Sequence, residues 1–187
     1  VKRTAQIAYD LHFDGAPICY SWPSQGGFEK YTYDEESIRW TVPQLETFFN
    51  RIVEKSGAET IHIVAHSMGN RALVDVLERI YLQNKDGHYK FGQIIMAAPD
   101  VDASSFRRYA AVLKEMSART TLYASSNDRA LLASTEIHGY SRAGLSGEHL
   151  LALADVETVD ASPIDTSLIG HSYYGNNPIM IRDLQAV

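Results

Sequence analysis

Residues 60–77, TIHIVAHSMGNRALVDVL, place Ser67 between a run rich in β-branched residues and a run with apolar side chains at helical spacing, with almost no chain left for a turn. A serine at the start of a helix often serves only as an N-cap, accepting hydrogen bonds from amides that the first turn leaves unsatisfied. Three further residues lift Ser67 above that use. Asp100 follows the apolar run FGQIIMAAP, Asp128 follows RTTLYASSN, and His171 stands a short way beyond VETVDAS. A serine attacks an ester or amide only after giving its proton to a base. Histidine is the usual base near neutral pH, and a carboxylate holds its tautomer and stabilises the imidazolium. Serine, acid and histidine occur here in that order, with Asp100 and Asp128 both open as the acid. Asp160 and Asp165 read instead as residues that cap loop amides.

Other chemistry finds less support. His62 and His66 are four residues apart, but on a strand this even spacing only puts them on one face, and no carboxylate completes a ligand pattern, so no metal is expected. The loop PSQGG lacks the G-x-x-x-x-G-K-S/T of a phosphate cradle, so neither nucleotide nor any other cofactor is expected. Trp22, Tyr173 and Tyr174 are candidates for the wall of a substrate pocket, since aromatic side chains dominate such walls.

The elements that must position these residues follow from periodicity. Ile7, Ala8 and Leu11 fit the end of an amphipathic helix, and APICYSW, residues 16–22, reads as a short buried strand leading into the glycine-rich loop. Ile38, Val42, Leu45, Phe49, Ile52 and Val53 give one apolar helical face from Asp34 to Gly57, with Pro43 as a kink or a break. TIHIVAH is a strand, and Ala72, Leu73, Val76, Leu77 and Ile80 continue as a helix. FGQIIMAAPD, RTTLYASSND and VETVDAS are further strands. They are separated by a helix over SSFRRYAAVLKEM, capped by Ser104 or Ser105, and a short helix over RALLASTEI, with NPIMIRDLQAV as the last helix. Residues 138–155 are rich in glycine and serine and are expected to form an excursion that could act as a lid. Strands that are apolar throughout, alternating with helices, call for a parallel sheet covered on both faces, a three-layer α/β architecture whose ligands sit beyond the carboxyl ends of the strands.

The totals agree with one domain over residues 1–187, 45% hydrophobic and 21% charged. The net charge of -6, with no long run of either sign, gives no footprint for DNA or RNA. No apolar stretch approaches the roughly 20 residues of a membrane span. Cys19 is alone and forms no internal disulfide, so compartment and oligomeric state stay open.

AHSMG, residues 65–69, matches the nucleophile elbow G-x-S-x-G, with Ala65 in place of the first glycine. Together with GAPICYSWPSQG, HIVAHSMGNRAL, AAPDVD, LYASSNDRAL and IDTSLIGHSYYGNNP, it makes the chain closely similar to a bacterial α/β-hydrolase family of unknown function, DUF900, over nearly its whole length. The resemblance implies an α/β-hydrolase fold with Ser67 as nucleophile, Asp128 as acid and His171 as base. It implies oxyanion stabilisation by the N–H of Met68, and a small acyl substrate, an ester or thioester, handled without a cofactor. Such proteins are bacterial, cytoplasmic or of the cell envelope. Members usually carry an upstream strand ending in a His-Gly-Tyr-Asn type loop that supplies a second oxyanion donor. This sequence begins after that point, so the first strands, and any membrane anchor, are expected in upstream residues. The alternative is a binding or scaffold module that keeps the fold without the chemistry.

Overall fold

Parallel strands need crossover connections, and the chain supplies them with helices. The computed structural model describes residues 1–83, 89–164 and 178–186. Along the chain run α1 (Lys2–Asp10), α2 (Tyr31–Lys55), β1 (Ile63–His66), α3 (Gly69–Gln83), β2 (Phe91–Ala97), α4 (Ala103–Met116), β3 (Ser117–Ala124), α5 (Arg129–His138), β4 (Glu157–Asp160) and α6 (Pro178–Ala186). The strands form one sheet in the order β1-β2-β3-β4, each parallel to the next. The register Ala65↔Met96 and Met96↔Leu122 brings the ends of β1, β2 and β3 to one edge.

Alternation within the strands builds a separate core on each face. Ile94 and Met96 of β2 and Leu122 and Ala124 of β3 point into the larger core, with Leu45 and Phe49 of α2, Leu73 and Leu77 of α3 and Leu113 of α4. Ile95, Ala97 and Tyr123 point the other way, onto Met180 and Leu184 of α6, with Ile7 and Leu11 of α1 at the margin. Full burial of each large side chain contributes about 1.5–3 kcal/mol. The three-layer expectation therefore holds, and the fold is that of an α/β hydrolase. Tyr123 also ties the sheet to α6, donating its hydroxyl to Asp183 at 2.6 Å. Among the described residues no helix is long and apolar enough to cross a membrane.

Local details differ from the periodic reading at three places. Residues 16–22 form no strand: Ala16 to Cys19 are exposed, while Tyr20 turns onto α2, its hydroxyl 2.8 Å from Thr41 Oγ1 and its ring tilted on Phe48 at 5.0 Å. A strand is defined by its ladder, and no described strand lies beside this run. Helix α2 runs unbroken through Pro43, because Pro43 and Arg39, the residue four back whose carbonyl it leaves unbonded, both lie on the solvent side. Helix α4 is capped by Asp102, whose carboxylate accepts from the N–H of Ser105 at 2.7 Å, rather than by Ser104 or Ser105.

The excursion expected at 138–155 is partly interior. Residues 142–146 are buried, and the chain there is laced to the strand-end loops: Ala103 N donates to Ser141 O, Ala143 N to Val101 O, Gly144 N to Pro99 O, and Ser125 N to Gly144 O, all at 2.8–3.0 Å. Residues 147–150 form an exposed turn. Close approach explains Gly144: a Cβ there would come within 2.6 Å of Leu131 Cδ1 and 2.7 Å of the Ala98 carbonyl carbon and Pro99 nitrogen. Two of those three atoms are backbone and cannot swing aside. Gly144→Val is therefore expected to cost at least about 1–3 kcal/mol, read as a lowered urea midpoint in denaturation of the purified protein.

Candidate active site

Ser67 is the first residue after β1 and adopts φ 51°, a left-handed conformation that costs a side-chain-bearing residue of order 1–3 kcal/mol. Its neighbours hold it there. Ser67 N donates to Ala97 O at 3.0 Å, fixing the turn to the end of β2. Ser67 O accepts from Asn70 N at 3.1 Å, Asn70 Nδ2 at 3.1 Å and Asp100 N at 3.3 Å. Asn70 is wholly buried, and its Nδ2 also reaches Ala97 O at 3.3 Å, so one amide joins the turn to the neighbouring strand. Ser67 itself is half-buried, Met68 is buried, and α3 starts at Gly69. The strand–turn–helix that the motif demands is present, with Ala65 fitted into β1 opposite Met96.

Asp128 stands two strands away, just past β3. It is fully buried and caps α5, accepting from Leu131 N at 3.0 Å. The other residues expected around Ser67 divide into two groups. Trp22 packs half-buried on the larger core. His171, Tyr173, Tyr174 and Asp165 fall within 165–177, outside the described residues. Asp160 behaves as a loop cap: it accepts from Ser162 N at 3.0 Å and Ser162 Oγ at 2.5 Å. Burial raises its carboxyl, but these hydrogen bonds and one from Ser146 bring it below the usual range.

Asp100, the other candidate acid, is committed through both oxygens. Its Oδ1 accepts from Ser134 Oγ at 2.7 Å and lies 3.4 Å from Arg142 Nε, and its Oδ2 accepts from Tyr31 OH at 2.6 Å and Arg71 Nη2 at 3.0 Å. Both carboxylate oxygens are thus hydrogen-bonded, by three bonds among the described residues, with the Arg142 guanidinium beside them. Burial alone would raise its carboxyl. The positive charge of Arg71, the hydrogen bonds from Tyr31 and Ser134, and Arg142 outweigh burial and hold it below the usual carboxylate range. Glu35 extends the cluster, accepting from Arg71 Nη1 and meeting His138 Nε2 at 2.7 Å. It too is held low, with Arg71 and His138 overcoming burial. Tyr31 is shifted the other way: burial and the adjacent Asp100 charge push its hydroxyl well above the ordinary tyrosine value. No single period in the sequence marks this cluster, because its members come from α2, α3, the β2–α4 loop, α5 and the segment after it.

Two other sequence readings can be placed. The amides of the PSQGG loop are spent on the chain's own carboxylate: Gln25 N and Gly26 N donate to Asp34 at 2.8 and 3.1 Å. His62 Nδ1 accepts from Gln93 N at 3.1 Å, and among the described residues no three His, Cys, Asp or Glu are grouped to hold a metal ion. Two cavities border α2. One of about 500 Å³ lies along Tyr20, Tyr33 and Trp40, and one of about 570 Å³ over Arg71, His138 and Arg142; among the described residues Ser67 lines neither.

The model of a family described as an alpha/beta hydrolase of unknown function (DUF900) matches residues 1–187. No curated protein and no solved structure matches the chain.

A carboxylate whose folded pKa is depressed contributes stability above its unfolded value, near 4, and loses that contribution as the pH falls through the folded value. Asp100 and Glu35 are both depressed. The urea midpoint is therefore expected to be level from about pH 7 to 5 and to fall below about pH 4. In Asp100→Asn it starts lower, by roughly 3 kcal/mol for one broken buried pair, and falls less steeply, the remaining slope coming from Glu35, Asp34 and Asp160. A variant with the full wild-type slope would mean that Asp100 does not titrate with unfolding.

Proposed function

The chain belongs to the DUF900 family of α/β hydrolases, and from that membership we propose a serine hydrolase that cleaves a carboxylic ester or thioester through Ser67, His171 and Asp128. The observation that carries this reading is the left-handed Ser67 between a parallel strand and a helix. A capping serine has no need of that strain, since an N-cap residue sits comfortably in extended backbone. In a nucleophile the same turn lifts the hydroxyl clear of the strand end.

The chemistry runs in two steps. His171 takes the Ser67 proton as Oγ attacks the acyl carbon, and the carbonyl π pair moves onto oxygen to give a tetrahedral oxyanion. Collapse expels the alcohol or thiol, which receives the proton from His171, and leaves an acyl-serine. Water then repeats the sequence, with His171 again as base and then acid, and frees the carboxylic acid and Ser67. Asp128 orients His171 and balances the imidazolium. The oxyanion is stabilised by the N–H of Met68, at the positive end of α3. Asn70 and Arg71 spend their own N–H groups on the Ser67 and Met68 carbonyls, at 3.1 and 2.9 Å. Trp22 and Tyr173 supply apolar wall for the acyl or leaving group. Asp128 is favoured over Asp100 because both Asp100 oxygens are already committed to Tyr31, Arg71 and Ser134, beside Arg142.

An alkyl fluorophosphonate tests the assignment directly. Attack by Ser67 Oγ forms an O–P bond and expels fluoride, and the serine proton passes through His171 to solvent. Intact mass is expected to show one adduct on the wild-type protein and none on Ser67→Ala. The labelling rate is expected to fall by about 10⁴-fold or more in His171→Ala and by a similar or smaller factor in Asp128→Asn. A folded wild-type protein that takes no adduct would instead favour a binding module on a hydrolase fold.

A further inference from the structure

The bonds around Ser67 close through a side chain outside the proposed triad. Asp100 N donates to Ser67 O at 3.3 Å, Arg71 Nε donates to Asp100 O at 2.6 Å, and Arg71 N donates to Met68 O at 2.9 Å. The turn that bears the serine and the loop that follows β2 are thus joined in a ring that the Arg71 guanidinium closes, beside the Asn70 amide that bridges Ser67 O and Ala97 O. That loop is itself strained: Ala98, just before Pro99, has φ 45° and is completely buried. Two left-handed residues thus stand on adjacent strand ends, joined by main-chain bonds and the Asn70 amide, and Arg71 clasps the loop after Ala98 to the turn.

From this geometry we propose that Arg71 is a positioning residue, which sets the Ser67 turn by pinning the Asp100 main chain onto it. The proposal rests on the serine-hydrolase reading for its catalytic consequence, though not for the clasp itself. The rest of the guanidinium is anchored where it cannot drift. Nη2 donates to Tyr31 OH at 2.6 Å and to Asp100 Oδ2 at 3.0 Å, Nη1 donates to Glu35, and Cζ lies 5.7 Å from the centre of the Tyr31 ring. Four acceptors in three directions need a planar fork of donors, which arginine has and the single ammonium of lysine lacks. A purely stabilising ion pair would engage the two carboxylates alone. The bond from Nε to a backbone carbonyl within the strained loop is the contact that such a role leaves unexplained.

Two variants separate positioning from stability. Arg71→Lys keeps a positive charge beside Glu35 and Asp100 but loses the Nε bond to Asp100 O. Glu35→Gln loosens the same cluster at its far end and leaves that bond intact. Both are compared with wild type by hydrogen–deuterium exchange of residues 66–71 and 97–101, and by the maximal rate and half-saturation concentration of labelling with an alkyl fluorophosphonate. In Arg71→Lys, exchange is expected to rise in both segments, and the maximal labelling rate to fall by about 10²-fold with half-saturation unchanged, the scale of a reacting group displaced by about 1 Å. Glu35→Gln is expected to lower the thermal midpoint without those two changes. Unchanged exchange in Arg71→Lys overturns the proposal. So does raised exchange with a wild-type labelling rate, or identical behaviour of the two variants. If the wild-type protein takes no label while exchange still rises only in Arg71→Lys, the clasp stands and the hydrolase reading fails.

Discussion

A parallel strand that runs straight into a helix must reverse direction in a residue or two, and the cheapest residue for that turn is glycine. This chain places a serine there instead, at φ 51°. The cost is met by four hydrogen bonds on Ser67 backbone atoms, drawn from Ala97, Asn70 and Asp100. All but those from Asn70 cross to the end of β2. The turn therefore exists only where β1 and β2 are paired in the register Ala65↔Met96, and that register is fixed by Ile94 and Met96 packing in one core and Ile95 and Ala97 in the other. Sheet, helices and turn form one dependency. A one-residue slip would exchange the two cores and remove Ala97 O from beneath Ser67 N.

The buried charges beside this turn follow a different logic. Removing Arg71, Asp100, Glu35 and Arg142 from water is costly, and a well-packed apolar substitute of the same shape is often as stable. Such a cluster earns retention by geometry more than by energy. Its bonds fix Tyr31 of α2, Ser134 and His138 of α5, and Arg142 in directions that apolar contacts leave free. The residues it joins surround the carboxyl edge of the sheet, where α/β proteins place their chemistry. The strap 141–146 has the same effect through main-chain bonds, threading Gly144 between Leu131 and the Ala98–Pro99 backbone.

What the sequence disclosed was whatever a single period or a single turn encodes. The helices α3, α4 and α5 and the strands β2 and β3 follow from apolar spacing, and Ser67 stands out because a β-branched run meets a helical run with no loop between them. Residues 16–22 misled, since a strand is decided by a partner elsewhere in the chain, and an apolar run without one folds onto α2 by Tyr20 instead. Pro43 misled less: whether a proline breaks a helix depends on which face carries the orphaned carbonyl, and here it is the wet one. Asp100 stood out by its place after a strand, but its pairing with Arg71, Arg142 and Tyr31 could not be read, because these residues are far apart in sequence and only the fold brings them together.

Asp100 and Asp128 show why residue type and position after a strand do not settle a role. Both follow parallel strands, both are almost completely buried, and both carry a carboxylate near the same edge. Asp100 meets two guanidinium groups and two hydroxyls, an environment that keeps it ionised and commits both of its oxygens. Asp128 caps a helix through Oδ1, which accepts from Leu131 N at 3.0 Å. Under the proposed mechanism these environments separate two identical groups into two functions, one bracing the nucleophile's turn and one orienting its base. The same carboxylate chemistry serves structure or catalysis according to the groups that surround it.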